Sequence, residues 1–181
     1  MKLEESGLAC QLPCYAQAAE GRAATPRESL GRKMKLFIRR HVSPTRERAL
    51  RSFTNKLMNR YARLTGKPTR PTAPAEVLAA TNLQAGDVVR VRAIEEIKAT
   101  LDHWRQLKGC SFMAEMEQYC GTTQRVLKRV ERFVDERDLR VKKAKGIVFL
   151  EGVFCRGTAD FGSCDRLCFL FWREEWLEKI E

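Results

Sequence analysis

Three prolines within nine residues, Pro68, Pro71 and Pro74 of GKPTRPTAP, interrupt the chain between residues 66 and 74. Each fixes its own φ and lacks an amide donor, so neither a helix nor an inner strand runs through the segment. The stretches on its two sides must fold as separate pieces. The charge divides at the same place. Residues 1–70 hold 16 Lys and Arg against 5 Asp and Glu, whereas residues 71–181 hold 18 of each, so the net charge of +11 is entirely N-terminal. We read residues 1–26 as a flexible tail, 27–70 as a basic arm, 71–82 as a linker, and 83–181 as a domain with the chain's one substantial core.

The arm carries two helical patterns. Leu30, Met34, Phe37 and Ile38 recur at helical spacing, and Arg32, Lys33, Lys35, Arg39 and Arg40 occupy much of the remainder. A second helix opens at Ser43, a capping residue, followed by Pro44 and by Glu47 in the first turn, where a carboxylate meets the positive end of the dipole. Leu50, Phe53, Leu57, Tyr61 and Leu64 come next at spacings of three and four, and Gly66 stops the helix. The spacing predicts a helical hairpin that packs this apolar seam on the C-terminal domain and turns a cationic face to solvent. Such a face suits a nucleic-acid backbone, an anionic membrane surface or an acidic protein partner, and no base-reading motif selects among them. Met34 is a possible alternative start of the chain.

No apolar run is long enough to cross a bilayer, and the N-terminus has two acids after its first lysine, unlike a secretory signal. The expectation is a cytoplasmic protein. In a reducing compartment seven cysteines read as metal ligands or buried thiols before they read as disulfides.

Beyond the linker the period changes. Gly86 and Asp87 mark a turn, and VVRVR (88–92) alternates as a half-buried strand does. Ile94, Ile97, Leu101 and Trp104 mark a short helix, and Ser111 is placed to cap another, with Met113, Met116 and Tyr119 or Cys120 inward. QRVLKRVERFVD, DERD and LRVKK read as a hairpin with Val126, Val130 and Val134 on one face. GIVFLEGVFC (146–155) is apolar and β-branched enough for a central strand. In 169–180, Phe169, Trp172, Trp176 and Ile180 fit a helix while the aromatic content suits a closing strand. The class is α+β: a basic helical arm, then a small, partly open, Src-homology-three-like β-barrel with a helical insertion, by analogy with the GD-V-V-V opening of such barrels.

Cys155 comes directly after the apolar strand, Gly157 and Gly162 tighten the next loop, and Cys164 and Cys168 close it in CDRLC. That arrangement brings three thiols together by local chain alone, and a closed tetrahedral zinc site needs one more ligand. Cys120, before Gly121, is the first candidate, with Cys110, Asp160 and His103 in reserve. The competing reading is a set of inert buried thiols. With only His41 and His103 in the chain, a histidine triad has little material, and no phosphate-binding loop or nucleotide fingerprint is present. Glu115, Glu117, Asp160 and Glu174 lie near the cysteine blocks and read as solvated surface; Trp172 and Trp176 read as core or interface anchors.

The blocks GDVVRVRAIEEIKATLD, FMAEMEQYCG, RVLKRVERFVD, FLEGVFCRG and CDRLCFLFWREEWL together resemble a family of small cysteine-containing bacterial proteins found in natural-product and polysaccharide biosynthesis gene clusters. The resemblance spans 86–180. It implies cysteines at the places of Cys120, Cys155 and Cys164, with the place of Cys168 less regular, together with Trp172, Arg173 and Glu174. It implies no reaction. The resulting expectation is a zinc-binding accessory protein of a biosynthetic pathway, with Cys120, Cys155, Cys164 and Cys168 as ligands, acting through a protein partner. Two alternatives stand beside it: an iron-sulfur or open-metal redox protein, and a nucleic-acid-binding protein that uses the arm.

Overall fold

Three capping signals in the basic segment translate directly into helix ends. In a computed structural model describing residues 19–20, 30–71, 82–158 and 162–180, the arm is two helices, α1 (Leu30–His41) and α2 (Pro44–Leu64). Ser43 is extended and its Oγ accepts the Arg46 amide at 3.4 Å, Pro44 opens the helix, and Glu47 lies in the first turn. Gly66, at φ +67, lies just past the helix end. The expected tail, apart from residues 19 and 20, and the interior of the expected linker lie outside the described residues.

The rest of the chain is built from β1 (Val88–Val91), α3 (Ile94–Thr100), β2 (Gln106–Leu107), β3 (Cys110–Ser111) and a 3-10 helix, Ala114–Tyr119. Then come β4 (Thr123–Arg129), β5 (Arg132–Asp135), β6 (Arg140–Lys143), β7 (Ile147–Leu150), β8 (Gly157–Thr158), β9 (Gly162–Ser163) and β10 (Trp172–Arg173). A 3-10 turn, Glu174–Trp176, leads into β11 (Leu177–Lys179). Five strands form one antiparallel sheet in the order β10-β7-β4-β1-β11. The pairs β2-β3, β5-β6 and β8-β9 are short two-stranded excursions from it. The fold is α+β, and the two edge strands of the sheet are neighbours in sequence.

Alternation produces the core. Val89, Val91, Val126, Val148 and Leu150 point to one side of the sheet and meet Ile97, Leu101, Phe112, Met116, Leu170, Trp172, Trp176 and Leu177. Phe112 meets Trp176 edge to face at 5.5 Å, and Tyr119 meets Trp172 at 6.1 Å. Trp172 and Trp176 are core residues, one of the two roles expected of them.

Several local expectations change. Ser111 lies in β3, and the short helix is 3-10 with Met113 at its cap. The single long hairpin from 124 to 143 is instead two ladders. A register shift between Val126 and Lys128 re-aims β4, and the Val130 amide turns to the Ile147 carbonyl, so β5 and β6 leave the sheet and Val134 and Val141 are exposed. Leu101 is buried but Trp104 is not, because α3 ends at Thr100. The last segment is strand, turn and strand. Its helical spacing comes from the single 3-10 turn, which returns both tryptophans to the same core.

Candidate functional site

A helix has two long faces, and α2 uses the unexpected one against the domain. Glu47, Asn55, Asn59 and Ala62 are its buried residues, with Arg51 partly covered beside them. Asn55 Nδ2 donates to Asp102 Oδ2 at 2.9 Å, and His103 Nε2 lies 2.8 Å from Asn59 Oδ1. Trp104 Nε1 donates to Thr54 Oγ1 at 3.1 Å, with the Arg51 guanidinium over the indole at 5.7 Å. Arg137 Nη1 pairs with Glu47 Oε2 at 2.9 Å, and Arg51 with Oε1 at 2.5 Å. Burial raises the Glu47 pKa, but the two guanidinium groups outweigh it and hold the carboxyl below its ordinary value.

The apolar seam faces away. Phe53 is 63% exposed, Leu57 56% and Tyr61 61%, and Leu50, Met58 and Leu64 are exposed as well. The expectation that this seam packs on the domain is therefore overturned. The reason is chemical: the surface that α2 meets offers Asp102, His103, the Trp104 indole N–H and Arg137, which match amides and a carboxylate and not leucines. Leaving each seam residue half exposed forfeits about half of the ~1.5–3 kcal/mol that its full burial supplies. On α1, Leu30, Met34 and Phe37 form a second exposed stripe. At 3.6 residues per turn, Lys56, Arg60 and Arg63, all exposed, run along one border of the α2 seam, and Arg46 lies within it near its N-terminal end. Glu47, the one acid of α2, is already engaged.

The thiols are distributed less simply. Phe154 and Phe169 form a bridge, and the Cys155 amide donates to the Cys168 carbonyl at 2.7 Å. Burial raises the pKa of the Cys168 thiol, opposed by Arg166 and reinforced by Cys164 and Cys155. The β8-β9 ladder closes the intervening loop, and a Cβ at Gly157 would run into the Gly162 carbonyl. Cys164 is exposed.

Cys120 ends the 3-10 helix just before β4, and Cys155 lies just past β7. Because β4 and β7 are antiparallel, these are the same end of the sheet. The groups acting on the Cys120 thiol are burial, Glu117 and Glu95, which raise its pKa, and Lys98, which lowers it; the other thiols are not among them. Among the described residues no group of three or more His, Cys, Asp or Glu side chains is arranged to hold a metal ion. Of the reserves, His103 is engaged by Asn59, Asp160 lies outside the described residues, and the Cys110 thiol donates to the Phe171 carbonyl at 3.4 Å. Burial pushes the Cys110 thiol up to about 12. Glu117 pairs with Lys98 and Arg105. Glu174, expected on the surface, is buried.

No helix among the described residues is long and apolar enough to cross a membrane. Comparison of the chain with profiles of protein families, with curated proteins and with solved structures finds no match.

Proposed function

We infer that this chain is an accessory docking protein whose C-terminal domain presents the arm to an acidic, amphipathic segment of a protein partner. The single observation that carries the reading is the outward apolar seam of α2. A domain that spends its hydrogen-bonding face on internal docking and leaves Phe53, Leu57 and Tyr61 in water is arranged for a surface to be covered. Charge selects the partner: the seam is bordered by Lys56, Arg60 and Arg63, so the complementary helix carries acids beside an apolar stripe. Arg46, within the seam, favours a protein over a bilayer, because a carboxylate opposite it is supplied by a side chain and not by acyl chains.

The strand order β10-β7-β4-β1-β11, with one 3-10 turn between the outer strands, supports reading the platform as a partly open, Src-homology-three-like barrel. Cys155, Cys164 and Cys168, with Cys120 at the same end of the sheet, are the thiols that would hold a structural zinc ion and pin the loop from 155 to 168.

Binding is tested with an 18-residue helical peptide of Leu and Glu, its Leu and Lys counterpart, anionic vesicles and several DNA duplexes at near-physiological salt. The acidic peptide is expected to bind tightest. Duplexes and vesicles are expected to bind weakly and without sequence preference, with log affinity falling by about 0.9 per log unit of salt for each duplex phosphate neutralised. Tighter binding to vesicles, or to one duplex, would replace the protein partner by that surface.

The thiol reading is tested by alkylation at pH 8 with residue-by-residue mass mapping. With a pKa of about 12, Cys110 is only about one part in ten thousand thiolate and should stay unmodified in the folded protein. Among the thiols of the described residues, Cys164, the exposed one, should react first in metal-free protein and be protected, together with Cys155 and Cys168, by one equivalent of zinc. Unchanged reactivity of all three in zinc would contradict the site.

A further inference from the structure

The run Trp172-Arg173-Glu174-Glu175-Trp176 is buried at every position. Five consecutive buried residues of which three are charged require an internal charge arrangement, since an ion without a partner is costly away from water. Glu175 is fully served. Arg173 Nε and Nη2 donate to its two oxygens at 2.9 and 2.6 Å, and Lys108 Nζ lies 2.7 Å from Oε1. Arg173 Nη1 donates to the Lys145 carbonyl at 2.9 Å, and a Cβ at Gly146 would stand 3.0 Å from Arg173 Nη2, so a glycine there lets the guanidinium through.

Glu174 is not served in the same way. It is 1% exposed, and its Oε1 lies 3.2 Å from Arg129 Nη1 without an aligned hydrogen bond from any group. Arg129 Nη1 also donates to Asn82 Oδ1. These groups surround one cavity of about 530 Å³, lined by Asn82, Lys108, Arg129, Lys145, Arg173 and the two carboxylates. Four cations face two anions, and Lys145 has no ion-pair partner among the described residues.

We propose that this cavity binds a small organic anion carrying a neighbouring hydrogen-bond donor, a phosphorylated sugar being the simplest class. The excess of two positive charges calls for an anionic group at Lys145 and Arg129. Glu174 Oε1 calls for a hydroxyl that donates to it. A bare phosphate satisfies the cations and leaves that oxygen without a donor; a neutral sugar does the reverse. The volume, many times the ~30 Å³ share of one water, admits both groups in one molecule. The cavity is lined by neither arm residues nor the four thiols considered for zinc.

The test is titration of the full chain with glucose 6-phosphate, inorganic phosphate and glucose, monitored by tryptophan fluorescence and by melting temperature. Glucose 6-phosphate is expected to bind at least tenfold more tightly than either of the others and to raise the melting temperature. Lys145→Ala, at an exposed position, and Glu174→Gln should each weaken it by about tenfold or more, the scale of a hydrogen bond to a charged group. Equal affinity for phosphate and glucose 6-phosphate would overturn the acceptor role of Glu174. Absence of binding at 10 mM, or unchanged affinity in folded Lys145→Ala, would overturn the site.

Discussion

Arg173→Met is expected to destabilise the C-terminal domain by about 3–5 kcal/mol, the scale of removing one member of a buried ion pair. The guanidinium makes two hydrogen bonds to Glu175, and both side chains are nearly inaccessible, at 6% and 3%. Its loss leaves a buried carboxylate with Lys108 as its remaining cation. At about 4–8 °C per kcal/mol for a domain of roughly a hundred residues, the change is readily seen in a thermal melt. Adding Glu175→Leu should restore most of the loss, because the penalty lies in the abandoned charge and not in the pair itself. The pH dependence obeys the same logic. Burial raises the Glu175 pKa, but Arg173 and Lys108 outweigh it and the folded value lies below the ordinary one. A depressed carboxylate contributes its stability above the unfolded pKa, about 4.3, and loses it as pH falls through the lowered folded value. Wild type should therefore lose stability below about pH 4.3 more steeply than the double variant.

The second large effect is on binding and not on stability. The triple variant Phe53→Ser, Leu57→Gln, Tyr61→Ser should bind the acidic peptide at least a hundredfold more weakly, since aromatic anchors at an interface are each worth about 2 kcal/mol or more. Its melting temperature should be unchanged or slightly raised, because the three side chains are mostly in water in the free protein. A melt lowered by many degrees would mean that this face is packed. The converse variant, Asn55→Leu with Asn59→Leu, removes the contacts to Asp102, Arg70 and His103 and should release the arm from the domain, measured as faster amide exchange in α2.

Local signals in the sequence read well wherever a local cause dominated. Ser43, Pro44 and Glu47 began α2 where they stood, and the alternation at 88–92 formed an inner strand with Val89 and Val91 in the core. What period alone does not carry is which face of a helix finds a matching surface. The seam of α2 is correct as a stripe and inverted as a contact, because the opposing surface is assembled from Asp102, His103 and Trp104 after α3 and from Arg137 between β5 and β6, all distant from α2 in sequence. The hairpin at 124–143 misled for a related reason: a bulge at 126–128 is invisible to alternation, yet it decides that Val130 stays buried and Val134 does not. For the thiols, the backbone bond between Cys155 and Cys168 is local, whereas the position of Cys120 depended on the pairing of β4 with β7. Glu174 gave no signal of burial. Acids are ordinarily surface residues, and only the turn between two core tryptophans forces this one inside.

The docking reading is tested most directly by the heat capacity of binding. Calorimetric titration of the Leu and Glu peptide into the full chain at several temperatures separates apolar burial from simple charge attraction, since only the former gives a large negative ΔCp. Covering the seam of α2 with several hundred Å² of apolar surface predicts a value on the order of −0.2 kcal/mol/K, largely abolished in the triple variant and retained at high salt. A ΔCp near zero, with binding that vanishes as salt rises and is unaffected by the triple variant, would show a cationic arm that attracts polyanions and would contradict the docking seam.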